Sequence, residues 1–281
     1  MKDNFKSICE AVCYWLGYQF SIGRERLIHE ASLRYPIADA ITSSDISIDK
    51  IQLERGHPYF DDKRVDIFVC NKKVKNIEVE SIDSIFELKL SKQSTGSKFS
   101  NEHQRVVDDI LRLAYFNLMS KKDAYFLICG PYKDFKNYFI GDMDEQPTDT
   151  SQDIIIKEQQ GKAVNQKVTE ASLKPWRTDN SLYKYYFDFV YIDPETTSEP
   201  IIPKEYTFEK QAENSNDDAK TKKQKMFGLK SFQDDYIPKQ NLAFQEKLKI
   251  KTTCMAITPF ESKSNRTHAC GIWKIEAECE S

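Results

Sequence analysis

The chain has 281 residues, of which 40% are hydrophobic and 30% are charged, and its formal net charge is −3. This apolar content suffices for one large domain, and the absence of any run of 18 apolar residues argues against a membrane span. The first six residues lack the apolar stretch of a signal peptide, and none of the seven cysteines forms a C-x-x-C pair. We therefore expect a cytoplasmic protein whose cysteines are reduced.

The first predicted element is an N-terminal helix over residues 1–20. Its apolar positions recur at helical spacing, and Cys9 and Cys13 lie one turn apart on the apolar face. We interpret these thiols as core residues rather than metal ligands. The other apolar positions of this face are Phe5, Ile8, Val12 and Leu16.

A second helix is predicted over residues 21–42, with Ser21 as its N-cap. Pro36 is expected either to kink this helix or to begin a further one. Glu30 and Arg34 fall on the apolar stripe of this helix, which places a carboxylate on its buried side. The other members of the stripe are Leu27, Ala31, Ala38 and Ile41.

Two β-like runs follow, and each carries charge within an apolar sequence. Asp66 lies between Val65 and Ile67, whereas Glu87 and Lys89 point to one face of their strand because alternate strand residues share a face. Such embedded charges are costly unless they bind something, and two carboxylates can hold a divalent cation. The pattern predicts a metal site with a lysine beside it, and the alternative is an ion pair on a solvated strand.

A helix and a buried strand are predicted next. The helix covers residues 101–113, after a polar stretch, and the strand covers residues 123–129 and ends at Gly130-Pro131. The helix carries the polar residues Gln104 and Arg112. An exposed polar helix face accounts for both side chains.

This arrangement resembles the PD-(D/E)XK, or restriction-endonuclease-like, nuclease family. Asp66 matches the strand aspartate of that family, and Glu87-Leu88-Lys89 matches its E-x-K, although Val65 stands where the family pattern has proline. The resemblance implies an α/β fold with a restriction-endonuclease-like mixed sheet core flanked by helices over residues 21–140. Residues 141–281 are then a C-terminal extension with additional strands.

The resemblance also implies the roles of the site residues. Mg²⁺, with Mn²⁺ as a substitute, would be held by Asp66, Glu87 and the carbonyl of Leu88. Glu30 would bind a second metal or orient one of its waters, with Glu25 as the competing helix acid. Lys89 would position the attacking water or steady the transition state. Arg112 would approach the scissile phosphate, and Gln104 stands where some family members carry a glutamine near the site, so both would contact the nucleic acid.

The activity implied by the resemblance is metal-dependent cleavage of DNA phosphodiester bonds. An endonuclease in restriction or antiviral defence fits a chain without a nucleotide-hydrolysis motif. DNA is then the main partner, beside a homodimer or a partner protein that supplies a motor or specificity. The alternative is a catalytically idle nuclease-fold module that binds nucleic acid or protein within a larger complex.

The C-terminal half has an uneven charge distribution. Residues 220–251 hold nine lysines against three acids, and residues 141–160 carry six acids against one lysine. Lys222, Lys223 and Lys225 are therefore candidate contacts to DNA phosphates, with Phe232 and Tyr236 among the neighbouring aromatics. The alternative is a solvated loop beside a mobile segment near 209–225. Strands are predicted at 181–192 and as a hairpin of 250–257 with 271–275.

Overall fold

A computed structural model describes residues 4–43, 46–91, 97–131, 204–209, 232–233, 235–239, 242–245, 247–258 and 268–279. The described part contains one sheet of seven strands. Their order across the sheet is β1-β2-β3-β4-β7-β6-β5, and β3 and β4 run parallel whereas every other pair is antiparallel. The strands are β1 (Ile51–Gly56), β2 (Arg64–Cys70), β3 (Ile82–Leu90), β4 (Asp123–Pro131), β5 (Lys204–Glu209), β6 (Lys247–Thr258) and β7 (His268–Cys279).

Helices cover both faces of this mixed sheet. Helices α1 (Phe5–Ser21) and α2 (Glu30–Thr42) pack on one face, and α3 (Ser97–Ser120) packs on the other. Since β3 and β4 are parallel, the chain between them must cross over, and α3 makes that crossover. The outcome is two hydrophobic cores, one on each side of the sheet, as expected for a buried mixed sheet.

The predicted α/β class and several of its elements are confirmed. Strands β2, β3 and β4 match the predicted runs, and β6 and β7 form the predicted hairpin. The N-terminal helix is also confirmed, and Cys9 and Cys13 are buried in the core. Strand β7 pairs with β4, so the C-terminal strands extend the same sheet that carries the predicted site.

The helix predicted over residues 21–42 is wrong at its start. Ser21 is the last residue of α1, and its hydroxyl donates to the carbonyl of Tyr18 at 2.8 Å rather than capping a helix. Gly23 follows with a φ of 75°, a conformation that ends helices. Helix α2 begins only at Glu30, and Leu27 of the proposed apolar stripe is 66% exposed in the turn between the helices.

Pro36 does not break α2. It lies inside the helix, which continues to Thr42. A proline in a helix interior removes one backbone hydrogen bond and is costly. The neighbouring Ile37, Ala38 and Ile41 are fully or nearly buried, and their packing against the sheet outweighs that cost.

The aromatic residues expected among the surface lysines are core residues. Phe232 has no exposed surface and Tyr236 is 7% exposed. Both rings pack on Phe60, which lies between β1 and β2, with centroid distances of 5.3 and 5.5 Å. They are therefore unable to stack on nucleic-acid bases, because the core of the α3 side encloses them.

Several predictions fall outside the described residues. These are the strand at 181–192, the acidic stretch at 141–160, most of the segment near 209–225, and the side chain of Gln104 in α3. Lys222, Lys223 and Lys225 lie outside them as well. Among the helices that are described, none is both long and apolar enough to cross a membrane.

Candidate functional site

Strands β2 and β3 bring the predicted strand residues together. Ile67 pairs with Phe86, so continuing the antiparallel register places Asp66 opposite Glu87. Lys89 lies two residues further along β3 and shares a face with Glu87. All three side chains are buried, with exposed fractions of 7%, 2% and 5% in that order. Leu88 packs in the core on the α1–α2 side, so the alternation predicted for β3 is confirmed, whereas Val65 and Ile67 of β2 pack in different cores rather than on one face.

Both carboxylate oxygens of Asp66 have donors. Arg34 of α2 donates to Oδ1 through Nε at 2.8 Å, and its Nη2 lies 2.7 Å from the same oxygen. The backbone N–H of Leu88 donates to Oδ2 at 2.9 Å. Asp66 is therefore held between α2 and β3, and a cation that approaches Oδ1 must compete with the Arg34 guanidinium.

Glu87 has one cationic neighbour and one oxygen without a hydrogen bond. Nη2 of Arg112 lies 3.1 Å from Glu87 Oε1, but no donor has hydrogen-bond geometry to that buried oxygen. Burial raises the pKa of Glu87 well above its ordinary value; Arg112 opposes the shift, and the carboxylates of Asp66 and Asp109 add to it. A buried oxygen that has an ion-pair contact but no aligned hydrogen bond has room for a further contact from an ion or a water.

Lys89 lies between two carboxylates. Its Nζ is 3.1 Å from Oε2 of Glu30 and 2.9 Å from Oδ2 of Asp109. Burial alone would lower the pKa of Lys89, but the two carboxylates outweigh burial and raise the pKa above its ordinary value. The ammonium group therefore stays protonated, and it can donate hydrogen bonds and offset negative charge.

The structure brings Glu30, and not Glu25, to this cluster. Glu30 is the first residue of α2, and its side chain is 43% exposed, so it connects the buried cluster to solvent. Burial raises the pKa of Glu30, and Lys89 opposes that shift. Glu25 lies exposed in the turn before α2.

The sequence did not predict the roles of Asp109, Arg34 and Glu54 in this cluster. Asp109 of α3 is 7% exposed and contacts both Lys89 and Arg112. Its spacing of three residues from Arg112 on a predicted helix was an available signal, since such residues are neighbours on a helix. The contact of Arg34 with Asp66, and its ion pair with Glu54 at 2.8 Å, required the tertiary structure.

Arg112 is part of the cluster but is occupied. Its side chain is 13% exposed, pairs with Glu87 and Asp109, and donates from Nη1 to the carbonyl of Arg64 at 3.3 Å. To reach a phosphate through Nη1 or Nη2, Arg112 would have to give up one of these three partners. Its Nε has no hydrogen-bond partner but is buried, so it is not open to a phosphate in this conformation.

The cluster as a whole contains four acids and three cations, and Glu30 is the most exposed of these side chains. Each acid lies within ion-pair distance of a cation, which offsets the cost of burying charge. Within the described part of the chain, no three carboxylate, histidine or cysteine groups already stand at metal-ligand spacing. The acids are Glu30, Asp66, Glu87 and Asp109, and the cations are Arg34, Lys89 and Arg112.

The donor chemistry nevertheless fits a hard divalent cation. Asp66 and Glu87 present carboxylate oxygens from adjacent strands, and Glu87 Oε1 is buried without a hydrogen bond. Hard oxygen donors of this kind suit Mg²⁺ and Mn²⁺. A comparison with known proteins gives no independent indication of the role of this cluster, because no family model, no curated protein and no solved structure matches the chain.

Proposed function

We propose that the protein is a metal-dependent phosphodiesterase that cleaves DNA and resembles the PD-(D/E)XK nucleases. The observation that carries this proposal is the meeting of Asp66 and Glu87 on adjacent strands, with protonated Lys89 beside them and one Glu87 oxygen left without a hydrogen bond. Buried carboxylates are costly unless they are paired or bind an ion, and the pairing that this oxygen of Glu87 has is the Arg112 contact at 3.1 Å.

Asp66, Glu87 and the carbonyl of Leu88 would hold the cation, and Glu30 would complete the site from α2. Mg²⁺, or Mn²⁺ in its place, would supply Lewis-acid chemistry, because it neutralises phosphate charge and acidifies a water. Lys89 would donate to the attacking water or to the pentavalent phosphate. This role is electrostatic rather than that of a base, since its two carboxylate partners keep Lys89 protonated.

The expected setting follows from the resemblance. A restriction-endonuclease-like core that acts in the cytoplasm as an endonuclease suits restriction or antiviral defence. Its partners would be DNA and a second copy of the chain, or a protein that supplies a motor or specificity. This assignment of biological role is an analogy at the level of the fold.

The test is cleavage of circular and linear DNA in Mg²⁺ by purified wild-type protein and isosteric variants. Asp66→Asn and Glu87→Gln keep the shape of each side chain and remove its charge. We expect each to lose at least about 1000-fold in rate, because several kcal/mol of transition-state stabilisation disappears. Glu10→Gln, at an exposed position of α1, is the matched control. Wild-type cleavage by Glu87→Gln would sink the assignment.

A second candidate is a catalytically idle module that binds nucleic acid or protein. The observation in its favour is that Asp66, Glu87 and Glu30 each lie within ion-pair distance of a cationic side chain. Calorimetric titration with Mn²⁺ separates the two candidates. Carboxylate-dependent binding that is lost in Asp66→Asn supports the nuclease, whereas an idle module should take up no cation at these residues.

A further inference from the structure

A cavity of about 850 Å³ opens between α1, α2 and β1. This volume lies in the range of sites that bind small ligands. Its walls combine aromatic rings with polar groups. One lining residue, Arg34, belongs to the charged cluster, and a second, Glu54, is paired with Arg34. Its aromatic and charged lining residues are Trp15, Tyr35, Arg34, Asp39 and Glu54.

The aromatic side chains of this cavity are available for contact. Tyr35 is 70% exposed, and Trp15 is partly buried one helix away on α1. Aromatic rings that line a concave site are platforms for stacking a planar group. A base inside a duplex presents only its edge to a protein, so rings within a cavity select a base that has left the stack.

Arg34 connects the cavity to the candidate metal site. Its guanidinium contacts Asp66 on one side and Glu54 on the other. The registers of Leu53 with Ile67 and of Arg55 with Val65 place Glu54 opposite Asp66, yet Glu54 has a φ of 52°. A glutamate in the left-handed region within a strand is strained, and such strain is retained where the surrounding structure requires it, often at functional sites.

This geometry gives Arg34 two sets of partners. A cation bound at Asp66 Oδ1 would compete with the guanidinium for that oxygen. Because Arg34 also lines the cavity, N–H groups freed from Asp66 would be hydrogen-bond donors at the cavity wall while Nη1 stays paired with Glu54. A planar fork of donors in this position matches the oxygens of a phosphate group.

We propose that this cavity binds one unpaired nucleotide of the DNA strand that is cleaved, with its base on Tyr35 and Trp15 and its phosphate on Arg34. The proposal rests on the proposed function, since it concerns the substrate of the same site. It predicts that the protein prefers single strands, flaps or melted ends to continuous duplex. It also predicts that nucleotide binding and cation binding reinforce each other through Arg34.

The test measures binding separately from cleavage. A fluorescein-labelled oligothymidylate of about 12 nucleotides, a length that spans typical single-strand sites, is titrated in Ca²⁺ by anisotropy, alone and annealed to its complement. Tyr35→Ala removes an exposed ring and should leave the fold intact. Tyr14→Ala is the matched control, because Tyr14 is 82% exposed on α1 and does not line the cavity.

We expect Tyr35→Ala to weaken single-strand binding by about tenfold, the effect of losing one base–aromatic stack, and Tyr14→Ala to change it by less than about twofold. The oligonucleotide should also quench tryptophan emission, and Trp15→Phe should abolish that quenching. Equal affinities for single strand and duplex, or equal affinities of the two tyrosine variants, would overturn the proposal.

The outcome also separates this proposal from the nuclease assignment. If Tyr35→Ala loses strand binding but the wild-type protein never cleaves DNA, the cavity stands and the proposed catalysis fails. If the protein cleaves DNA and Tyr35→Ala matches wild type in both affinity and rate, the nuclease stands and the cavity assignment fails.

Discussion

At the scale of single residues, Lys89 shows how the cluster is balanced. Its ammonium group is the partner of two acids, Glu30 and Asp109, and only Glu30 reaches solvent. Removing the lysine therefore leaves Asp109 as a buried carboxylate with Arg112 as its remaining partner. A single substitution of Lys89 would therefore lower both catalysis and stability, and the two effects could not be told apart.

A double variant separates these two effects. We expect Lys89→Met to destabilise the protein by about 3 kcal/mol, the cost of breaking a buried ion pair, and to lose cleavage. Lys89→Met combined with Asp109→Asn removes both charges and should recover much of the unfolding free energy in urea. Cleavage should stay absent in the double variant. If cleavage returns together with stability, Lys89 has only a structural role.

The sequence could reveal some members of this site but not others. The sequence reveals Asp66, Glu87 and Lys89 because each is a charged residue within an apolar, strand-like run. Asp109 was overlooked because a carboxylate on a helix is usually solvated, and only the packing of α3 on β3 buries it. The positive φ of Glu54 has no sequence signature, since glutamate does not favour that conformation.

At the scale of elements, Gly130 controls how β4 passes the end of β3. A Cβ atom added to Gly130 would lie 2.4 Å from the carbonyl oxygen of Ser91. Ser91 donates its N–H to the carbonyl of Cys129 at 2.7 Å, so its backbone is fixed in place and has little room to retreat. The close approach of these two backbones sets the position of the residues that follow Lys89.

We therefore expect Gly130→Ala to lower the unfolding free energy by about 1–3 kcal/mol, the usual cost of overpacking. Gly56→Ala is the control, since nothing lies within 4 Å of a Cβ atom at that position of β1. It should change stability by less than about 0.5 kcal/mol. Urea unfolding monitored by circular dichroism measures both. Equal midpoints would mean that the β3–β4 contact is looser than the structure indicates.

The elements that sequence reasoning located are those with strong apolar runs. Strands β2, β3 and β4 are buried over nearly their whole length, and their sequences are correspondingly apolar. Strand β1 was missed because it lies at the edge of the sheet and only Ile51 is buried. The predicted start of α2 is too early because the apolar stripe includes Leu27, which lies in the turn before the helix. In that turn the local backbone geometry, and not the apolar periodicity, determines the conformation.

At the scale of the whole molecule, uneven charge offers a way for a chain of net charge −3 to bind DNA. We expect replacement of Lys222, Lys223 and Lys225 by glutamine to weaken DNA binding and to flatten its dependence on salt. Each phosphate contact that is lost removes about 0.9 from the slope of log affinity against log salt. An unchanged slope in anisotropy titrations would assign these lysines to a solvated loop.

The stability of the whole molecule should also depend on pH through Asp108 of α3. Burial raises the pKa of Asp108 to about 7; adjacent Asp109 adds to the shift, as does Asp235, whereas Arg112 and a hydrogen bond from Tyr236 oppose it. In the unfolded chain an aspartate releases its proton near pH 4, at about 3.9. Between these values the folded protein holds a proton that the unfolded chain does not.

Unfolding therefore releases a proton in this window, and the free energy of unfolding falls as pH rises from about 4 to about 7. Asp108→Asn keeps the hydrogen-bonded shape and removes the titration. We expect wild type to lose about 1–2 kcal/mol more than Asp108→Asn between pH 5 and pH 8, after discounting for partial exposure to solvent. Urea unfolding at the two pH values measures this difference, with exposed Asp61→Asn as the control. Parallel losses in wild type and Asp108→Asn would show that Asp108 is ionised throughout the range, and that the contacts of α3 with the 235–239 segment do not depend on its protonation.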